Sequence, residues 1–330
     1  MIEYNSSKGN NMSATYDAAS QYRVTASPVL SLDQIKYAFE KRLAELLPSS
    51  GNPGDLLTEA MQYAVLGGGK RLRPMLFLSI VRDLGHNAPA LFDLAGAIEI
   101  MHAASLILDD LPCMDDAKLR RAQATVHIKY GEDIAMLAAV ALLSHAFHIV
   151  ACAKDVSANA RICFTSILAQ AIGAQGLAKG QYQDLHHVPQ RPVADVARTY
   201  ALKTGALLGV AIEMATTVAQ TSAETTQSLR QFAAAAGQAF QIRDDLLDVG
   251  VGPAAAEGEI NSKDIGQDAR KATLPSTLGI VAAHLRMVSE ATQAYFHLDV
   301  ALGPHNQTRS LLAALFPQCD ARNIPAPVND

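Results

Sequence analysis

Paired cysteines, basic runs and strand-like alternation are all scarce in this chain, and each scarcity closes off a class of protein. The four cysteines, Cys113, Cys152, Cys163 and Cys319, lie far apart with no Cys-x-x-Cys spacing. That excludes a zinc ribbon or a disulfide framework and fits a reducing, cytoplasmic setting. No long basic run interrupts a formal net charge of -5, so the electrostatic footprint of a nucleic-acid binder is missing. The most membrane-like stretch, Ile134 to Ala153, begins right after Glu132-Asp133 and is interrupted by Ser144, His145 and His148. Those interruptions argue against a membrane span and for a buried core helix.

What is present points to helices. Alanine is abundant, apolar residues recur at three- and four-residue spacing, and β-branched alternation is hard to find, which together predict an all-α chain. With 330 residues and 49% hydrophobic content, a sizeable core can be buried. Residues 1–28 are polar and read as a flexible N-terminal arm without chemistry, and 29–330 as a single domain. Ser31-Leu32-Asp33-Gln34 offers a helix cap before an apolar-periodic run that ends close to Leu47. Breaks follow at Gly67-Gly68-Gly69, 85–89, Pro112, 188–192 and 303–304, and the 250–262 stretch predicts a mobile loop.

Two aspartate clusters emerge from otherwise apolar segments, Asp109-Asp110-Leu-Pro-Cys-Met-Asp115-Asp116 and Asp244-Asp245-Leu-Leu-Asp248. Asp244 and Asp248 are four apart and share one helical face. Asp109 and Asp115 are six apart, so a continuous helix would separate them, but Pro112 cannot extend the helix and turns the chain, letting both reach one ion. Like charges in such company make sense when a divalent cation sits among them. Hard oxygen ligands suit Mg²⁺, which prefers a few carboxylates plus substrate phosphates and so implicates a diphosphate.

Cations complete the pattern. In Gly67-Gly68-Gly69-Lys70-Arg71-Leu72-Arg73-Pro74, glycines permit close backbone approach while Lys70 and Arg73 supply charge. The run is not a Walker sequence, which would need a Gly-Lys-Ser/Thr ending after a strand. Arg120 and Arg121 follow the first cluster, and Lys203-Thr204, Lys263 and Lys271 add cations on later segments.

From about residue 33 to 290 these motifs, taken in order, resemble the trans-isoprenyl diphosphate synthases. The segment Ser105 to Arg121 is especially similar to bacterial geranylgeranyl diphosphate synthases. The resemblance implies an all-α bundle around a deep cavity, usually homodimeric, with two or three Mg²⁺ per site. It implies that Asp109 and Asp115, with Asp110 nearby, bind Mg²⁺ on the allylic diphosphate, and that Asp244 and Asp248, beside Asp245, hold a further ion. Lys70, Arg73, His102 and Arg121 would bind isopentenyl diphosphate. Arg120, Lys203, Thr204, Gln241 and Lys263, with Lys271, would surround the allylic diphosphate, whether dimethylallyl, geranyl or farnesyl.

The implied chemistry is ionisation of the allylic diphosphate and attack by the isopentenyl double bond, with no protein nucleophile. Ala104 and Ser105, one turn before Asp109, are small where Phe or Tyr would block a growing chain, which predicts a C20 product rather than a farnesyl one. One departure concerns geometry: Ala122-Gln123-Ala124-Thr125 stands where the family usually has Gly-x-Pro-Thr, losing both backbone-special residues. Ser262 before Lys263, and Ala269-Arg270-Lys271, depart similarly. A terpene cyclase is disfavoured because the second cluster is all aspartate and Lys70 with Arg73 provides a second diphosphate site. A silent partner subunit is disfavoured because both aspartate sets are complete.

Overall fold

The computed structural model describes residues 30–49, 52, 54–186, 191–250 and 272–320. Lys263, Lys271, the arm at 1–28 and the loop expected at 250–262, beyond Gly250, lie outside the described residues. The chain is all-α, as the sequence pattern predicts, apart from one short hairpin among the described residues. In order come α1 Leu32–Leu46, α2 Leu56–Leu66, α3 Leu72–Asp83 and α4 Ala90–Asp109. The hairpin of Leu119–Arg120 and Gln123–Ala124 precedes α5 Val126–Tyr130, α6 Glu132–Cys152, α7 Ala158–Ile172, α8 Leu177–Leu185 and α9 Val193–Tyr200. A π-turn, Ala201–Gly205, joins α9 to α10 Ala206–Ala219. Then follow α11 Ala223–Asp248, α12 Leu274–Leu278, α13 Ile280–Leu302 and α14 Thr308–Leu315.

Local chemistry sets the ends. Ser31 caps α1 with a capping box: its hydroxyl accepts from Gln34 N–H at 3.3 Å, and the Gln34 side chain accepts from Ser31 N–H at 2.9 Å. α4 is apolar almost all round and buried from Leu94 to Met101, the signature of a helix enclosed by others. It packs along α6 and against α1, α2 and α3, while α11 packs along α13 and α10 lies on α3 and α7. One apolar cluster runs through all of these elements, with Phe39, Phe77, Phe164, Phe232 and Phe316 fully buried. Each such ring contributes about 1.5–3 kcal/mol by leaving water. The start of α14 is held by Asp83, which accepts from Gln307 N–H at 2.8 Å and Thr308 N–H at 2.9 Å.

The buried-helix expectation for 134–153 holds on one face only. α6 packs on α4 and α2, but Met136, Leu137 and Val140 are 47%, 54% and 64% exposed. Helices α4, α6 and the continuous Val193–Ala219 are long and apolar enough to cross a membrane by length and composition. The first is mostly enclosed by the bundle.

Candidate active site

The first aspartate cluster sits where α4 stops. Pro112 ends the helix, and the loop doubles back so that Asp115 N–H donates to Asp109 O at 2.9 Å while Asp116 N–H donates to Leu111 O at 3.0 Å. Asp115 is thereby returned to the end of α4 despite its six-residue separation from Asp109. Burial, reinforced by Asp115 and opposed by Lys203, pushes the Asp109 carboxyl up to about 6. Asp110 is buried and grips Arg120, whose Nε donates to Oδ1 at 3.1 Å with Nη2 also bonded there. Its carboxylate thus fixes an arginine, a positioning role beside the catalytic one expected of the cluster.

The second cluster ends α11 and also divides its labour. Asp244 and Asp248 are half-buried, whereas Asp245 is 3% exposed. Asp245 accepts from Gln241 Nε2 at 2.8 Å and from the Tyr200 hydroxyl, and Tyr200 accepts from Leu274 N–H at 2.8 Å. Asp245, beside Asp244 and Asp248, is thereby a buried anchor tying α9, α11 and α12. Burial and Asp245 push the Tyr200 hydroxyl far above its usual range.

Lys203 and Thr204 connect the two clusters. Both lie on the π-turn, an element often found at functional sites because the extra residue shifts the helical register. Lys203 Nζ is 2.7 Å from Asp184 and 3.7 Å from Asp115. The Thr204 hydroxyl donates to Gln241 Oε1 at 2.6 Å. Lys203 thus faces the first cluster directly, and Thr204 is linked to the second through Gln241, which donates to Asp245. The π-turn is packed tightly by α8, where a Cβ on Gly180 would stand 2.5 Å from Lys203 N. Asp184 on α8 was missed by the sequence reading, because a single acid in a short polar helix carries no distinguishing pattern.

Beside the clusters lies a concentration of arginines. The Lys70 to Arg73 run splits: Arg71 turns inward to Glu40 at 2.8 Å, Glu99 at 2.7 Å and Val65 O at 2.8 Å, while Lys70 stays exposed on the glycine loop. Arg73 Nη1 donates to His102 Nε2 at 3.1 Å, so His102 is the acceptor and carries its proton on Nδ1. Burial, then Arg73, Arg121 and Arg120, hold His102 well below its usual range. Burial lowers Arg73 and Arg121 as well. Arg73 Nε is buried with no hydrogen-bond partner among the described residues. Arg121 donates to Gly68 O, and a Cβ on Gly69 would meet its Cζ at 2.6 Å. Half-buried guanidiniums crowded this closely suit an anion.

The donor set also fits magnesium. Among the described residues no group of three or more His, Cys, Asp or Glu side chains is gathered closely enough to hold a metal ion by itself; Mg²⁺ takes a few carboxylates and completes its shell with substrate phosphates and water. A divalent cation would relieve the burial and repulsion that raise Asp109. Ala104 and Ser105 are buried on α4, and the Ser105 hydroxyl donates to His102 O at 2.8 Å.

Residues 54–303 match the family model described as "Polyprenyl synthetase". The chain belongs to the polyprenyl synthetase family. It is a trans-prenyltransferase. It is 42% identical over 288 residues to a geranylgeranyl diphosphate synthase from Pantoea ananas, covering 86% of this chain and 92% of that protein. It is also 41% identical over 230 residues to a farnesyl diphosphate synthase from Haemophilus influenzae, covering 69% and 77%. A Helicobacter pylori geranyltransferase solved with magnesium and isoprenyl diphosphate superposes with a TM-score of 0.74 at 28% identity, covering 90% of this synthetase and 99% of that chain.

Proposed function

We propose that this synthetase is a magnesium-dependent geranylgeranyl diphosphate synthase, extending dimethylallyl, geranyl and farnesyl diphosphates with isopentenyl diphosphate to C20. The observation that carries the reading is the π-turn, whose Lys203 faces Asp115 and whose Thr204 bonds the Gln241 that donates to Asp245, with arginines beside both clusters. In this reading Asp109, Asp115, Asp244 and Asp248 hold the metal, and Arg120, Lys203, Thr204 and Gln241 bind the allylic diphosphate. Lys70, Arg73, His102 and Arg121 bind isopentenyl diphosphate. Two diphosphate sites, rather than one, make the reaction chain elongation.

Magnesium, when bound, neutralises diphosphate charge and favours its departure. As the allylic C–O bond breaks, its electron pair leaves with the diphosphate, and Arg120 and Lys203 meet the growing negative charge. The isopentenyl double bond attacks the allylic cation to form the new C–C bond, and the resulting cation loses a proton to the departing diphosphate. His102, kept neutral among arginines, cannot add a competing positive charge and serves to orient Arg73.

The C20 assignment rests on the small, buried Ala104 and Ser105 and on the Pantoea relative. The Haemophilus relative makes C15 the competing length. Chromatography of products from labelled isopentenyl diphosphate, each allylic starter and Mg²⁺ decides between them: C20 is expected, and Ala104→Phe should shorten it. A dominant C15 product would refute the length assignment. We also assign the exposed α6 face of Met136, Leu137 and Val140, with Ile162 on α7, to a homodimer interface. A monomeric mass in sedimentation would contradict this. The unpaired cysteines, three of them exposed, support a cytoplasmic setting, to be checked by fractionation, and residues 29–330 are taken as one domain, which a single unfolding transition would support.

A further inference from the structure

Arg121 and Ala122 occupy the left-handed region in succession, with φ of 56° and 62°, a conformation that Cβ sterics disfavour. They form the two-residue turn of the hairpin in which Leu119 pairs with Ala124 and Arg120 with Gln123, a turn normally built from Asn-Gly or Gly-Gly. Backbone strain of this kind persists only where the surroundings over-determine it. A half-open pocket beside the hairpin is lined by Tyr63, Asp110, Arg120, Arg121, Gln123 and Ala124. Hydrogen bonds at the foot of the second strand supply the constraint. Thr125 donates through its N–H to Lys118 O at 3.0 Å and through its hydroxyl to Ala117 O at 2.8 Å. From α2, the Tyr63 hydroxyl donates to Ala124 O at 2.8 Å. The Tyr63 ring is itself fixed, with Lys129 Nζ 3.7 Å from its centroid and Tyr130 edge-on at 5.6 Å.

We infer that Tyr63 is a positioning residue for Arg120 and Arg121, its hydroxyl holding the strained turn in the arrangement that keeps one guanidinium on Asp110 and the other on Gly68. The inference rests on the proposed binding of isopentenyl diphosphate by Arg121. Nothing in the motif order marks Tyr63, because its partner is a backbone carbonyl 61 residues away.

Steady-state kinetics with isopentenyl diphosphate as the varied substrate, run well below the unfolding midpoint of each variant, tests it. Tyr63→Phe removes one hydrogen bond and is expected to raise KM about five- to tenfold with kcat within about twofold. Adding Ala122→Gly, which removes the steric penalty at the second turn position, should return KM to within about twofold of the parent. Arg121→Gln tests the underlying assignment and should raise KM at least about tenfold. An unchanged KM in Arg121→Gln would overturn the diphosphate role of that arginine. A raised KM there with an unchanged one in Tyr63→Phe would overturn the role of Tyr63 alone. A Tyr63→Phe defect that Ala122→Gly does not rescue would equally overturn it, since Tyr63 would then act through packing of α2 rather than through the turn.

Discussion

The two aspartate clusters use their residues alike but are built differently. Each turns one carboxylate into a protein contact, Asp110 to Arg120 and Asp245 to Tyr200 and Gln241, and keeps others at the site. The second achieves this with helical periodicity alone, which places Asp244 and Asp248 on one face and Asp245 on another. The first needs a loop bent at Pro112, a lysine from the π-turn and a hairpin with two left-handed residues. Spacing suffices when all the carboxylates lie on one helix; when they straddle a helix end and the loop after it, neighbouring elements must complete the geometry.

Breaking that correspondence should have graded effects. The largest comes from Asp109→Ala, expected to lower kcat by on the order of 10² to 10³, by analogy with removing one preorganised charge-stabilising group; near-normal turnover would detach the first cluster from the chemistry. Next is Tyr200→Phe, which strips a donor from buried Asp245 and an acceptor from Leu274 N–H. It should cost about 1–3 kcal/mol in denaturant unfolding, with a smaller loss of activity than Asp109→Ala.

A stability gain separates the clusters further. Because the folded Asp109 carboxyl is raised to about 6 from 3.8, the folded state binds a proton that the unfolded chain does not between those values. This group therefore adds stability as pH falls through 6 and costs stability at neutral pH. Asp109→Asn should raise metal-free stability by about 1–2 kcal/mol at pH 7, after discounting for partial exposure. The gain should shrink towards pH 4 in thermal unfolding, and a loss at pH 7 would contradict the burial account. The smallest effect is Ala122→Gly, expected to stabilise by about 0.5–1 kcal/mol, the left-handed penalty less the added freedom of glycine in the unfolded chain.

Local signals in the sequence were legible where the physics is local. Ser31 and Gln34 mark their capping box within four residues, the three glycines mark the end of α2, and Pro112 marks the bend that returns Asp115 to Asp109. Arg71 was left out of the binding set by the resemblance and not by spacing, because its inward turn depends on Glu40 and Glu99, 31 and 28 residues away. The hairpin was invisible for another reason: Arg121-Ala122 has none of the usual turn residues, so tertiary bonds rather than composition set its shape. Asp245 read like its neighbours until Tyr200, 45 residues away, claimed it. The π-turn had no signature, and the close packing of Gly180 of α8 on the Lys203 backbone is equally unmarked in the sequence.

The central claim is that adjacent aspartates in one cluster do different work. It is tested most directly by comparing Asp244→Asn with Asp245→Asn, measuring kcat/KM and the unfolding midpoint of each. Asp244→Asn is expected to lose at least about 10²-fold in kcat/KM with its midpoint retained, whereas Asp245→Asn should lose midpoint and much less activity. Equal activity losses with equal midpoints, or the reverse pattern, would contradict it.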